Sequence, residues 1–299
     1  MKNRKNSIIG MAVALAVTFI FYSCQKEEID TQQIPESSVQ LSEDGNDQNE
    51  VTDEAVDIVM DAFENFDNLR KLENDTDSCN NIVAQINSAN KITFTFMGDN
   101  CAHTRTRAGE IIAELISDVK WHEAGGTLEI TFNDFKVTRK SDNKSITING
   151  KYVAYNVSGI ANPFIHTLHG NMTVKFDNGS ERDWIVSRRR TITLDGNVVQ
   201  VKVESDSVNF VTEMGVNREG MEFVTTIPDP IVVQNCSVGP EGYKFITGEI
   251  VYAVGDAALS IDFGYTSLSE KTDDCEATGS VLTYTDPSTV VRKYYPYKE

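Results

Sequence analysis

The segment ITLDGNVVQVKV, residues 192–203, decides the fold. Ile192 and Leu194 alternate with polar neighbours up to Asp195-Gly196, and Val199, Val201 and Val203 resume the alternation on the far side. Apolar residues at every second position put one face of a strand against a core. Asp-Gly between two such runs marks a hairpin, because both residues tolerate the positive φ that tight hairpin turns demand. The same pattern extends outward in both directions. Ile92, Phe94 and Phe96 alternate with Thr93 and Thr95, Leu128, Ile130 and Phe132 alternate with Glu129 and Thr131, and Met172, Val174 and Phe176 run into Asn178-Gly179. The chain beyond residue 80 is therefore expected to be all-β, about a dozen strands in an antiparallel meander that forms a sandwich or a curved sheet. Its length suits one β-rich domain or two abutting subdomains, over about 79–225 and 230–299.

Upstream the period changes from two to three and four. Val56, Val59, Met60, Phe63, Phe66 and Leu69 predict a single amphipathic helix over Thr52–Arg70, with its apolar stripe packed on the β-domain. Thr52 is the expected N-cap, Asp53 and Glu54 occupy the first turn, and Arg70 with Lys71 close the C-terminal end.

The 299 residues carry a formal net charge of −18, and residues 25–77 alone hold 17 acidic against 3 basic side chains. Residues 24–50, rich in Gln, Ser, Asp, Glu and Asn, offer little apolar surface and are expected to be an acidic, unfolded tether ahead of the folded part, 51–299. Such a tether repels anionic lipid and nucleic acid, so nucleic acid is not an expected partner.

The first residues have their own grammar. Lys2, Arg4 and Lys5 precede an apolar run from Ile8 to Phe21, then Tyr22, Ser23 and Cys24. The run is shorter than the ~20 residues a permanent transmembrane helix needs, and the order of charge, apolar core and small residue is that of a signal peptide over 1–23. Ser23-Cys24 resembles the lipobox of bacterial lipoproteins, although Phe21 and Tyr22 are bulkier than is usual there. The resemblance implies acylation of Cys24, a membrane anchor that needs no spanning helix. Gln25-Lys26-Glu27-Glu28 resembles the export tag of surface lipoproteins in Bacteroidota, which implies a place on the outer membrane facing the cell exterior.

Four further cysteines, Cys79, Cys101, Cys236 and Cys275, are an even number outside the cytoplasm and predict two disulfides, with three pairings open. A weak internal repeat favours one of the three. Residues 92–98 lead to Cys101 and then Ala108-Gly109, while residues 259–264 lead to Cys275 and then Thr278-Gly279, and each unit has an earlier cysteine ahead of its strands. The repeat pairs Cys79 with Cys101 and Cys236 with Cys275. The strand with Cys101, Arg105, Arg107 and Gly109, together with Asp262-Phe263-Gly264 before Cys275, also resembles uncharacterised β-rich lipoproteins of Bacteroidota. That resemblance implies location and fold, and no activity.

Chemistry is harder to find. No nucleophile elbow, phosphate loop, dinucleotide fingerprint or zinc-binding helix motif occurs, so no cofactor and no metal is implied. His166 and His169 stand three apart on an expected strand, which sends them to opposite faces. Trp184, Arg188 and Arg190 share strand parity, and an aromatic beside two guanidiniums is a candidate contact surface for an acidic glycan or carboxylate. The alternative is a solvated strand face paired to acids such as Glu204 or Glu181, with Arg189 pointing the other way. Together these features lead us to expect a non-catalytic binding or structural module at the cell surface, meeting a glycan or an envelope protein. A polysaccharide hydrolase with unidentified carboxylates and a carrier of a hydrophobic ligand are the alternatives.

Overall fold

A computed structural model describes residues 33–64, 76–77, 81–101, 103–206, 211–236 and 243–297. The signal peptide, Cys24, the export-tag residues and the side chain of Cys79 lie outside them, as do Phe66, Leu69, Arg70 and Lys71 at the end of the expected helix.

One helix, α1 (Glu36–Glu64), precedes a single sheet of sixteen strands. The first half is a meander of β1 (Thr76–Asp77), β2 (Ile82–Ser88), β3 (Lys91–Asp99), β4 (Arg105–Leu115), β5 (Thr127–Arg139), β6 (Ser145–Asn156), β7 (Phe164–Phe176) and β8 (Glu181–Asp195). β9 (Val198–Ser205) and β10 (Val211–Val216) share one place in the sheet, both lying between β8 and β11 (Glu222–Asn235). The order then continues through β12 (Tyr243–Val254) and β13 (Ala257–Ser267), which also carries the short β14 (Glu270–Lys271), to β15 (Gly279–Asp286) and β16 (Thr289–Pro296). Every pairing is antiparallel. β11 runs through residues 225–230, so one continuous sheet spans both of the stretches that could have been subdomains.

The hairpin read from residues 192–203 is β8–β9, with Asp195 opposite Val198. Its turn centre is Gly196-Asn197, and Gly196 takes a φ of 59°. Bulges bend the long strands. On β5 the buried side chains switch from Phe132 to Phe135 across Asp134, which has a φ of 48°. Gly109 faces this bulge with a φ of 102°, and a Cβ there would lie 2.2 Å from the Asp134 carbonyl oxygen. Only glycine allows so close an approach, and the bend it permits curves the sheet.

α1 lies against the inner face of that curve. Val56, Val59, Met60 and Phe63 are buried as the stripe predicts, and they join Ile92, Phe94, Ile130, Phe132, Trp184, Ile250 and Ile261 in one core. Two expectations need correction. The helix begins at Glu36 rather than Thr52, and Thr52 is an interior residue whose Oγ1 donates to the Gln48 carbonyl at 2.9 Å. Of the tether expected over 24–50, residues Glu36–Glu50 are helix, with Leu41, Ser42, Asp44 and Gln48 buried. Two of their acids, Asp44 and Glu50, which look like solvated charge in sequence, face arginine partners in the β-domain.

Candidate functional site

Those partners form a ladder of guanidiniums on the inner face. In β4, Arg105 and Arg107 point inward, and in β8 so do Arg182, Arg188 and Arg190. α1 meets them with acids spaced three or four apart, which share one side of a helix. Glu50 holds Arg105 with two hydrogen bonds, and Glu54 accepts from Arg107 at 2.8 Å. Asp53 bridges Arg188 at 3.0 Å and Arg190 at 2.9 Å, and Asp57 adds a second contact to Arg190 at 2.9 Å. Two and a half turns before Asp53, Asp44 holds Arg218, in the turn after β10, at 2.7 Å. Arg182 meets the neutral Gln48 instead and lies between the rings of Phe176 and Phe223, at 5.1 and 5.3 Å. The rings supply part of the stabilisation that a carboxylate gives the others.

Burial sets the titration of this seam. It pushes Asp57 up to about 7 against the pull of Arg190, with the like charge of Asp53 adding to the rise. It also raises Glu213 on β10, which Arg188 and Asn49 pull back. For Arg188 burial works downward, and Asp53, followed by Tyr152 and Glu213, outweighs it and holds the guanidinium above its ordinary range. Tyr152 receives a hydrogen bond from Arg188 at 3.3 Å.

The expected contact surface therefore faces the wrong way for a ligand. Trp184, Arg188 and Arg190 do share a face, but they are 0 %, 5 % and 2 % exposed beneath α1. Both readings of the arginines expected solvent, and neither Glu204 nor Glu181 pairs with Arg188 or Arg190. Arg189 points outward as read, toward Glu204 at 3.9 Å, and Glu181 pairs with Lys175. The correction has a simple cause: the acids that satisfy Arg188 and Arg190 lie more than a hundred residues away on α1. Beside the helix, between Arg105 and Arg218, a crevice of about 20 Å³ is left, enough for a single water.

The outer face carries the larger concavity, a recess of about 350 Å³ over β12, β13, β15 and β16. Strand register assembles it. Val251, Ser260, Thr283 and Arg292 follow one another across the four strands, and Glu249, Asp262, Val281 and Tyr294 form the next row. Val251 and Ala258 supply apolar surface, Val281 lies buried behind it, and Thr285 stands at the rim. Glu249 accepts a hydrogen bond from Ser260, while Asp262 accepts from Tyr265 and Lys271, both at 2.7 Å. Arg292 is exposed and forms no ion pair among the described residues. No local motif announces this site, because its residues meet only through pairing register.

Of the histidines, His166 is buried against Trp121, with ring centres 5.2 Å apart, and burial, reinforced by Arg190, pushes it down to about 4. His169 points outward to Asp206 at 3.2 Å, so the two occupy opposite faces as the spacing predicts. No cluster that could hold a metal occurs among the described residues. Cys236 and Cys275 form the expected disulfide, with Cα atoms 5.5 Å apart. Cys101 is also disulfide-bonded, and its expected partner, Cys79, lies outside the described side chains. No described helix is long and apolar enough to cross a membrane. No family model, curated protein or solved structure matches the chain.

Proposed function

We propose that the protein is a non-catalytic binding module held at the outer membrane by a lipid on Cys24 and facing the cell exterior. The observation that carries this reading is the occupancy of the inner face. α1 covers the inner side and its own acids take up Arg105, Arg107, Arg188 and Arg190, so the space a hydrophobic carrier needs is filled by the chain itself. A partner is left with the outer face, where the recess on β12–β16 is of ligand size. The anchor rests on Lys2, Arg4, Lys5, the apolar run to Phe21 and Ser23-Cys24. Only the residues between Cys24 and Glu36 separate the lipid from the helix, a reach of at most ~40 Å.

A hydrolase is the second reading, favoured by one feature: Glu249 and Asp262 are cross-strand neighbours facing the same recess. Their hydrogen bonds to Ser260, Tyr265 and Lys271 use both as fixed acceptors, which suits holding a ligand better than moving a proton. Incubation of the full chain with envelope polysaccharide separates the two. Retention without new reducing ends is the expected result, and release of reducing ends overturns the proposal. Radiolabelled palmitate should enter the wild type and not Cys24→Ala; label in both would remove the anchor.

A further inference from the structure

We infer that the recess on the outer face of β12–β16 binds a saccharide unit carrying a carboxylate. The inference rests on the binding-module reading and names the ligand class for it. The recess is dipolar. Glu249 and Asp262 put acceptors on β12 and β13, whereas Arg292 puts a guanidinium on β16, and the strands of Glu249 and Arg292 are three steps apart, ~14 Å at the usual spacing. Between the two ends lie the hydroxyls of Ser260 and Thr283, beside the half-buried side chains of Val251 and Ala258.

Each feature matches one part of an acidic sugar. Sugar hydroxyls donate to carboxylates that are already held in place, Glu249 by Ser260 and Asp262 by Lys271 and Tyr265. The C–H face of a ring lies against Val251 and Ala258. A carboxylate takes the fork of Arg292, the geometry in which arginine binds carboxylates best. That guanidinium has no carboxylate of its own within ion-pair distance among the described residues, unlike five of the six on the inner face, where Arg182 meets Gln48 instead. A neutral sugar leaves Arg292 unused, and a free anion without hydroxyls leaves Glu249 and Asp262 opposing it.

Calorimetric titration of the full chain in detergent tests the assignment, with hexagalacturonate, maltohexaose and hexaglutamate as probes. Hexagalacturonate should bind at least tenfold more tightly than either of the others, about 1.4 kcal/mol. Arg292→Gln should bring it down to the maltohexaose level, and raising salt from about 50 to about 500 mM should weaken only the acidic sugar. Ser260→Phe should abolish binding by filling the recess. Should that variant fail to fold, Thr285→Trp at the exposed rim makes the same test. Equal affinity for the three probes, no binding of hexagalacturonate, or binding that ignores Arg292→Gln and the filling variants would overturn the inference. Retention of envelope polysaccharide by the filled variants would reject the recess and leave the binding module standing. Reducing-end release would instead remove the reading beneath it.

Discussion

Arg188 on the inner face of the sheet and Arg292 on its outer face carry the same charge in opposite circumstances. Arg188 is 5 % exposed, held by Asp53 at 3.0 Å and in contact with Tyr152, whereas Arg292 stands in solvent at the end of a recess with no ion pair among the described residues. A buried charge needs its counter-charge to be tolerated at all, so removing that counter-charge damages the fold. An exposed charge contributes little to folding and is free to meet something else. Breaking each arrangement in turn should separate structural arginines from available ones.

The largest effect is expected at Asp53, the carboxylate shared by Arg188 and Arg190. Asp53→Ala leaves buried Arg188 without its carboxylate and Arg190 with Asp57 alone, and should cost about 3–5 kcal/mol in denaturant unfolding, the range for breaking a buried pair. The double variant Asp53→Leu with Arg188→Met removes both members of one pair and should recover part of that loss. If the single variant unfolds like the wild type, the seam is not what holds α1.

A steric break of the same interface comes next. Gly45 sits inside α1, where a Cβ would lie 3.0 Å from the ring of Tyr252, itself buried. Helix propensity alone favours replacing this glycine, by up to about 1 kcal/mol for alanine. Valine adds bulk toward a ring that cannot retreat, so Gly45→Val should destabilise by about 1–3 kcal/mol. A stabilised variant would mean that the helix does not press on β12 there.

The seam also gives stability a pH dependence. Asp57 has its folded value raised to about 7 from an ordinary 3.8, so its contribution is complete below about 4 and is lost as the pH rises through 7. His166 acts oppositely: held down near 4 from 6.5, it favours the folded state above 6.5 and loses that contribution as the pH falls through 4. Asp57→Asn isolates the first of these. The wild type should lose stability between pH 5 and pH 8 relative to the variant, and parallel profiles would show that Asp57 ionises normally.

The comparison also explains what the sequence could reveal. Alternation in residues such as Ile192–Val203 is local, and it located the strands, the antiparallel class and the outward turn of Arg189. Strand parity correctly grouped Trp184, Arg188 and Arg190 but could not say which side of the sheet was buried. That depends on Asp53 and Asp57, more than 130 residues earlier, and the same long-range pairing hid the helix over Glu36–Glu50 behind a composition typical of tethers. The recess was illegible for a related reason. Glu249, Ser260, Thr283 and Arg292 become neighbours only when the registers of four strands are fixed, and a one-residue slip would send each to the other face.

Arg292→Gln should have the smallest effect on folding and gives the comparison its sharpest form. The side chain has no ion pair to lose, so unfolding should move by no more than about 0.5 kcal/mol, as for other exposed substitutions. Arg188→Gln changes the same atoms but leaves Asp53 and the Tyr152 hydroxyl short of a donor inside the core, and its cost should be several times larger. The two variants share one charge change, so a difference in overall charge cannot account for a gap between their unfolding curves. Similar losses from both would mean that Arg292 is tied into the sheet like its inner counterpart, and the outer face would then have no unengaged guanidinium to offer a ligand.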